Sequence, residues 1–120
     1  MELIPEERVH ELTHNADYVL HYLRDNGMRR GAALAIAGDD GVIRTGWCLM
    51  SDEDFNNKSI MFNRLEARQR CFTRALEDDG KAQINTLKSV SNREAKTRLM
   101  RLAREVRAKA WLRYRDNVSA

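Results

Sequence analysis

The sequence predicts a small α+β domain with elements in the order α-β-β-α-α, in which a β-hairpin packs against two or three helices. First, 120 residues with 42% hydrophobic side chains suffice for one core, so we expect a single domain spanning 1–120. Second, apolar residues recur at spacings of three and four in three segments, as in amphipathic helices. Third, two apolar runs flank Gly38-Asp39-Asp40-Gly41, a sequence typical of a hairpin turn.

The first helix is predicted to begin at Pro5 and to run to about Asn26, where Gly27 would cap it. Proline followed by two glutamates is typical of a helix N-terminus, because the acids interact favourably with the helix dipole. The residues expected to face the core are Val9, Leu12, Ala16, Val19, Leu20 and Leu23.

Between Gly31 and Met50 the pattern changes to that of two strands joined by the glycine-containing turn. A hairpin alone is marginally stable in water, so helices should cover at least one of its faces. Residues 81–90 read as a connector, and residues 51–57 as a polar loop.

Two further helices are predicted. One runs from about Lys58 to Asp79, with an apolar stripe of Met61, Leu65, Phe72 and Leu76, flanked by Ile60, Cys71 and Ala75. The other spans about 92–116, where Ser91 or Asn92 would cap it. Its expected buried face consists of Leu99, Leu102, Ala103, Val106, Ala110 and Tyr114.

Composition favours a cytoplasmic protein with no membrane association. The longest apolar run, Ala32 to Ala37, is far shorter than the ~20 residues of a membrane span, and the first residues do not resemble a signal peptide. Cys48 and Cys71 are expected to be free thiols in the core, since two cysteines do not make a disulfide framework. No sequence motif of a phosphate-binding loop, hydrolase or metalloprotease is present, so we expect neither an enzyme nor a cofactor.

One set of residues in the first predicted helix has metal-ligand spacing. His10, His14, Asp17 and His21 would lie within about 60° of one another on a helix. Such groups can bind zinc. The stripe would be exposed, opposite the apolar stripe and without supporting groups, so a solvated face or a partner contact is the preferred interpretation.

The last predicted helix has a large excess of basic over acidic side chains. Residues 1–90 contain 12 basic and 15 acidic side chains, whereas residues 91–120 contain 9 basic and 3 acidic ones. This asymmetry predicts a negatively charged partner for the helix, either a protein or ribonucleoprotein complex or a nucleic acid. Pairing with the acidic body of a second copy, in a homodimer, is an alternative. The candidate partner-binding residues are Arg93, Arg101, Arg104, Arg107, Trp111 and Arg115.

Arg64 and Arg68 differ from these arginines because they project from within the apolar arc of the preceding helix. A buried guanidinium requires a carboxylate partner. Asp52 and Asp54 in the preceding loop are the candidates, so these four residues predict a structural clamp between loop and helix.

Part of the chain resembles small accessory proteins of tailed bacteriophages and prophages, in which a strand and polar loop precede a helix of pattern Phe-Asn-Arg-x-x-Gly-Arg-x-x-Ala-x-x-Arg. The match covers about residues 42–76, with Ala67 in place of the glycine and Cys71 in place of the alanine. The matching segment reads Phe62-Asn63-Arg64-Leu65-Glu66-Ala67-Arg68-Gln69-Arg70-Cys71-Phe72-Thr73-Arg74, preceded by Gly46-Trp47-Cys48-Leu49.

The resemblance implies a phage-encoded interaction protein that binds and inhibits or redirects a host macromolecular complex in the bacterial cytoplasm. An anti-CRISPR or other anti-defence inhibitor is its most concrete form. The alternative hypothesis is a nucleic-acid-binding regulator that contacts phosphates through the basic C-terminal helix.

Overall fold

The computed structural model describes residues 2–38, 42–50, 62–77 and 92–119. Within these ranges the elements follow the order α-β-β-β-α-α, which confirms the predicted α+β class and adds one strand. They are α1 (Glu6–Asn15), β1 (Asp17–Asp25), β2 (Met28–Ala37), β3 (Ile43–Leu49), α2 (Arg64–Glu77) and α3 (Asn92–Ser119).

The predicted first helix is wrong beyond Asn15. Helix α1 ends there, and Asp17–Asp25 forms strand β1 instead. Both Asn26 and Gly27 have positive φ, 51° and 78°, as in a two-residue type I′ turn that joins β1 to β2. Strand β1 has packed side chains on both of its faces, so its apolar residues also fit a helical spacing. The Asn-Gly pair was the signal that distinguishes a hairpin from a helix end here.

The three strands form an antiparallel sheet in the order β1-β2-β3. In the register, Leu34 of the central strand lies opposite Leu20 of β1 and Gly46 of β3. The predicted hairpin of the second and third strands is confirmed. Turn residues 39–41 lie outside the described residues.

Strand β2 is buried on both faces. Ala32, Leu34 and Ile36 pack against residues of α1 and α2, whereas Ala33 and Ala35 pack against α3. The sheet is therefore the middle layer of three, with α1 and α2 on one face and α3 on the other. This position explains why the strand is a continuous apolar run instead of an alternating one.

Helix α2 contacts the sheet through Phe72 of the predicted stripe and through small residues, among them the predicted flanking residues Cys71 and Ala75. Its buried apolar residues are Ala67, Cys71, Phe72 and Ala75. Leu65 and Leu76, predicted to be buried, are 41% and 47% exposed. Their exposure follows from the close approach of the helix backbone to Gly46, which only a face of small side chains permits. Met61 and Ile60 lie outside the described residues.

Helix α3 covers the opposite face of the sheet. All six residues predicted for its buried face, from Leu99 to Tyr114, are buried, so that prediction is confirmed. The hydroxyl of Tyr114 donates a hydrogen bond to a carboxylate oxygen of Asp25 at 2.9 Å, and this bond joins α3 to the end of β1. No helix in the described ranges combines the length and apolar character that crossing a bilayer requires.

We predict that Gly46→Ala lowers the free energy of unfolding by about 3 kcal/mol, because overpacking against backbone atoms cannot be relieved by side-chain rotation. A Cβ at this position would lie 2.2 Å from the carbonyl oxygen of Cys71 and 2.9 Å from the amide nitrogen of Ala75. Urea denaturation followed by circular dichroism measures the change.

The control is Gly27→Asn. No atom lies within 4 Å of a Cβ at position 27, and asparagine tolerates positive φ, so we expect a loss below about 1 kcal/mol. Equal effects of the two substitutions would contradict the tight contact between α2 and β3.

Candidate functional site

A groove of about 720 Å³ lies between the edge strand β1 and helix α3. We call it the β1–α3 groove. Five consecutive residues of β1 form one wall, and residues of α3 form the other. The lining residues are Leu20, His21, Tyr22, Leu23, Arg24, Arg104, Arg107, Ala108 and Trp111.

Part of a longer basic surface of α3 lines the groove. At 100° per residue, the six candidate residues of this helix fall within an arc of about 120°. The five arginines are exposed and Trp111 is half-buried. Since Arg104, Arg107 and Trp111 line the groove, the arc as a whole lies on the β1 side of the helix. We call this surface the arginine flank: Arg93, Arg101, Arg104, Arg107, Trp111 and Arg115.

No acid among the described residues forms an ion pair with the arginines of the groove. Among the described residues, Arg24, Arg104 and Arg107 form no ion pair, whereas Arg98 elsewhere on α3 pairs with Glu94 at 3.0 Å. Guanidinium groups are well suited to carboxylates and phosphates, which they bind through paired hydrogen bonds. The groove is therefore chemically suited to an anionic ligand.

His21 lies within this positive field. Burial lowers its pKa from the ordinary 6.5, and the positive charges of Arg107 and Arg104 lower it further. Its Nε2 atom is buried and makes no hydrogen bond in the described part of the chain. Both effects favour the neutral imidazole, and its Nε2 atom has no hydrogen-bond partner among the described residues.

The aromatic rings at the groove already have neighbours. Trp111 packs against Tyr114 with ring centroids 5.4 Å apart and an angle of 31° between the planes. The Arg29 guanidinium lies 5.0 Å from the centroid of the Tyr22 ring, and Phe62 approaches the same ring edge-to-face at 6.0 Å. These contacts hold the groove walls in place.

Sequence reasoning found the helix wall of the groove but missed the strand wall. Arg24 was not a candidate, because residues 17–25 were assigned to a helix. In the sheet, Arg24 lies opposite Arg29 on β2, beside a register irregularity between Leu23 and Arg24, and like charges in such a pair are unfavourable. The sequence signal that could have identified this wall is the pair Arg24 and Arg29, which stand on either side of the turn between β1 and β2.

The predicted histidine stripe does not form. His10 and His14 lie exposed on α1, Asp17 begins β1, and His21 lines the groove beside α3. The four residues are separated because the helix that would align them ends at Asn15. No group of three or more metal-ligating side chains occurs in the described part of the chain.

Of the predicted clamp, the structure describes the two arginines but not the two aspartates. Arg64 is exposed and Arg68 is half-buried, with no hydrogen-bond partner for its buried Nε atom among the described residues. Asp52 and Asp54 lie outside the described residues, so their pairing with these arginines stays a prediction. The arginine that joins α2 to the hairpin is Arg74, which donates a hydrogen bond to the carbonyl oxygen of Trp47 and lies 6.0 Å from its ring centroid.

The two cysteines are core residues, as predicted. Cys48 on β3 and Cys71 on α2 are buried free thiols with their sulfur atoms 3.7 Å apart. The hydrogen bond to Cys48 and burial both raise the pKa of the Cys71 thiol. Burial also shields both sulfur atoms from reagents in solution.

No protein-family model, curated protein or solved structure matches this chain.

We predict that the protein loses stability on acidification through His21. The folded-state pKa lies below the ordinary value of 6.5, so the unfolded chain binds more protons as the pH falls through 6.5. The free energy of unfolding should therefore be fully retained above this pH and decrease below it. His21→Gln should reduce that decrease, which urea denaturation between pH 7.5 and pH 5 measures.

His14→Gln is the matched control, since His14 is exposed on α1 and distant from the arginines of α3. The pH dependence of the free energy of unfolding should be the same in this variant as in the unsubstituted protein. An unchanged pH dependence in His21→Gln would show that the positive field does not act on this imidazole.

Proposed function

We propose that this protein is an interaction protein that binds an acidic macromolecular complex through the β1–α3 groove and the arginine flank. The supporting observation is a continuous basic surface whose exposed arginines form no ion pairs within the described chain. Such a surface is energetically favourable only when an anionic partner or solvent ions cover it. Binding, and not catalysis, is the function that this chemistry suits best.

The resemblance to phage accessory proteins supports a specific setting for this binding. We propose a host macromolecular complex in the bacterial cytoplasm as the partner, with binding that blocks or redirects it. An anti-CRISPR or other anti-defence inhibitor is the concrete form of this proposal. Protein and ribonucleoprotein complexes that handle nucleic acid expose acidic surfaces or phosphates, both of which guanidinium groups bind.

A nucleic-acid-binding regulator is the second candidate function. The exposed arginines favour it, because their spacing along α3 would allow contact with successive phosphates. Salt dependence separates the two candidates. A phosphate-binding protein should retain generic DNA or RNA at low salt and lose it steeply as salt rises, whereas a protein complex should survive nuclease treatment.

We predict that Arg101→Glu/Arg104→Glu/Arg115→Glu abolishes capture of the partner. The tagged protein and the variant are each incubated with nuclease-treated lysate of a bacterial host, and bound proteins are quantified by mass spectrometry. Reversing three positive charges on one flank replaces attraction with repulsion, so we expect at least about a tenfold loss of the stoichiometric partner.

The control is Lys96→Glu/Lys109→Glu/Arg113→Glu, which changes net charge equally at exposed positions outside the arginine flank. It should retain the partner. Capture by both variants would show that the arginine flank is not the binding surface. Loss of all capture upon nuclease treatment would favour the nucleic-acid-binding regulator instead.

A further inference from the structure

We infer that the β1–α3 groove binds an extended acidic segment of a partner protein, which adds to the sheet as a strand beside β1. This inference rests on the proposed function and specifies the chemistry of the partner. Strand addition to an exposed sheet edge is a common mode of peptide recognition, in which main-chain hydrogen bonds supply affinity and side-chain contacts supply specificity.

The backbone of β1 provides the edge. This strand pairs with β2 on one side, and no hydrogen bond joins its outward-facing N–H and C=O groups to any other described residue. Residues 20–24 all line the groove, although successive side chains of a strand point to opposite faces. The groove therefore runs along the edge of the strand, over about 17 Å, which matches five residues of an added strand.

The side chains that line the groove define which side-chain types the added strand would carry. On the side of the sheet that α3 covers, an added strand would meet Arg104 and Arg107, which lie one helical turn apart. On the other side it would lie beside Leu20 and Tyr22. Because side chains alternate along a strand, this arrangement selects acidic residues at every second position and apolar residues between them.

His21 adds a hydrogen-bonding group on the same side as the arginines. Its buried Nε2 atom lacks a partner in the described chain, and Arg104 and Arg107 on α3 are the charged groups that act on it. A carboxylate of the added strand would neutralise this field and give the imidazole an acceptor. The pKa of His21 should therefore rise when the peptide binds.

A single-stranded nucleic acid fits the groove less well. Such strands bind to open aromatic faces on which bases stack. Trp111 packs against Tyr114, and the ring of Tyr22 is covered by Arg29. A nucleic acid also has no regular series of donors and acceptors that would match a strand edge, so the edge position of β1 in the described sheet favours a peptide.

The test uses fluorescein-labelled hexapeptides in which Glu alternates with Val, Leu or Phe, with fluorescence anisotropy at low salt as the measurement. We expect at least one peptide to bind the full-length protein and to bind Arg104→Glu/Arg107→Glu at least about tenfold more weakly. Lys109→Glu/Arg113→Glu, which has the same net charge, should bind within about twofold of the unsubstituted protein. Peptides with Lys in place of Glu should not bind.

Two readouts test the added strand itself. N-methylation of alternate peptide nitrogens removes main-chain donors, and one of the two alternate sets should weaken binding at least about tenfold. In NMR spectra of the complex, amide exchange at residues 20–24 should slow and the pKa of His21 should rise.

Three results would overturn the inference: no glutamate peptide binds, neither N-methylated set weakens binding, or an oligomer of twelve thymidines binds through Arg104 and Arg107 where the peptides do not. These results can be distinguished from a failure of the proposed function itself. If Arg101→Glu/Arg104→Glu/Arg115→Glu loses the lysate partner but N-methylation has no effect, the arginine flank still binds a partner and strand addition is rejected.

Discussion

Close packing of helices on both faces of one small-residue strand is the constraint on which this structure depends. Ala33 and Ala35 contact α3, and Ala32 contacts the opposite layer. On the neighbouring strand β3, Gly46 lies against the backbone of α2, so close packing requires a small residue there as well. Because helices cover both faces of the sheet, the central strand from Ala32 to Ile36 is removed from water, and α2 and α3 each pack on the sheet while α1 packs beside α2.

The same packing places the positive charge where a ligand can reach it. Helix α3 buries its apolar face from Leu99 to Tyr114, so its arginines must lie on the flanks or on the solvent side. The bond between Tyr114 and Asp25 holds the helix alongside β1. An edge strand and a basic helix flank thus become the two walls of one groove, although they are about eighty residues apart in sequence.

Prediction from sequence succeeded for segments whose apolar residues fitted either a helical or a strand periodicity, but not both. The buried face of α3 was predicted residue by residue, and the hairpin of β2 and β3 was predicted in outline, although β2 begins at Met28 and not near Gly31. Prediction was wrong for Asp17–Asp25, where a strand packed on both faces contains enough apolar residues to fit a helical spacing. It was also wrong for Leu65 and Leu76, because the orientation of α2 depends on how closely Gly46 allows its backbone to approach.

The sequence by itself determined the α+β class, the concentration of positive charge near the C-terminus and the identity of the arginine flank. These properties depend on local composition and on the spacing of residues within one element. Only the tertiary structure decided that His21 and Arg24 stand opposite Arg104 and Arg107, and that the edge strand of the described sheet forms one wall of their groove. That juxtaposition depends on contacts between distant segments, which the periodicity of a single segment does not contain.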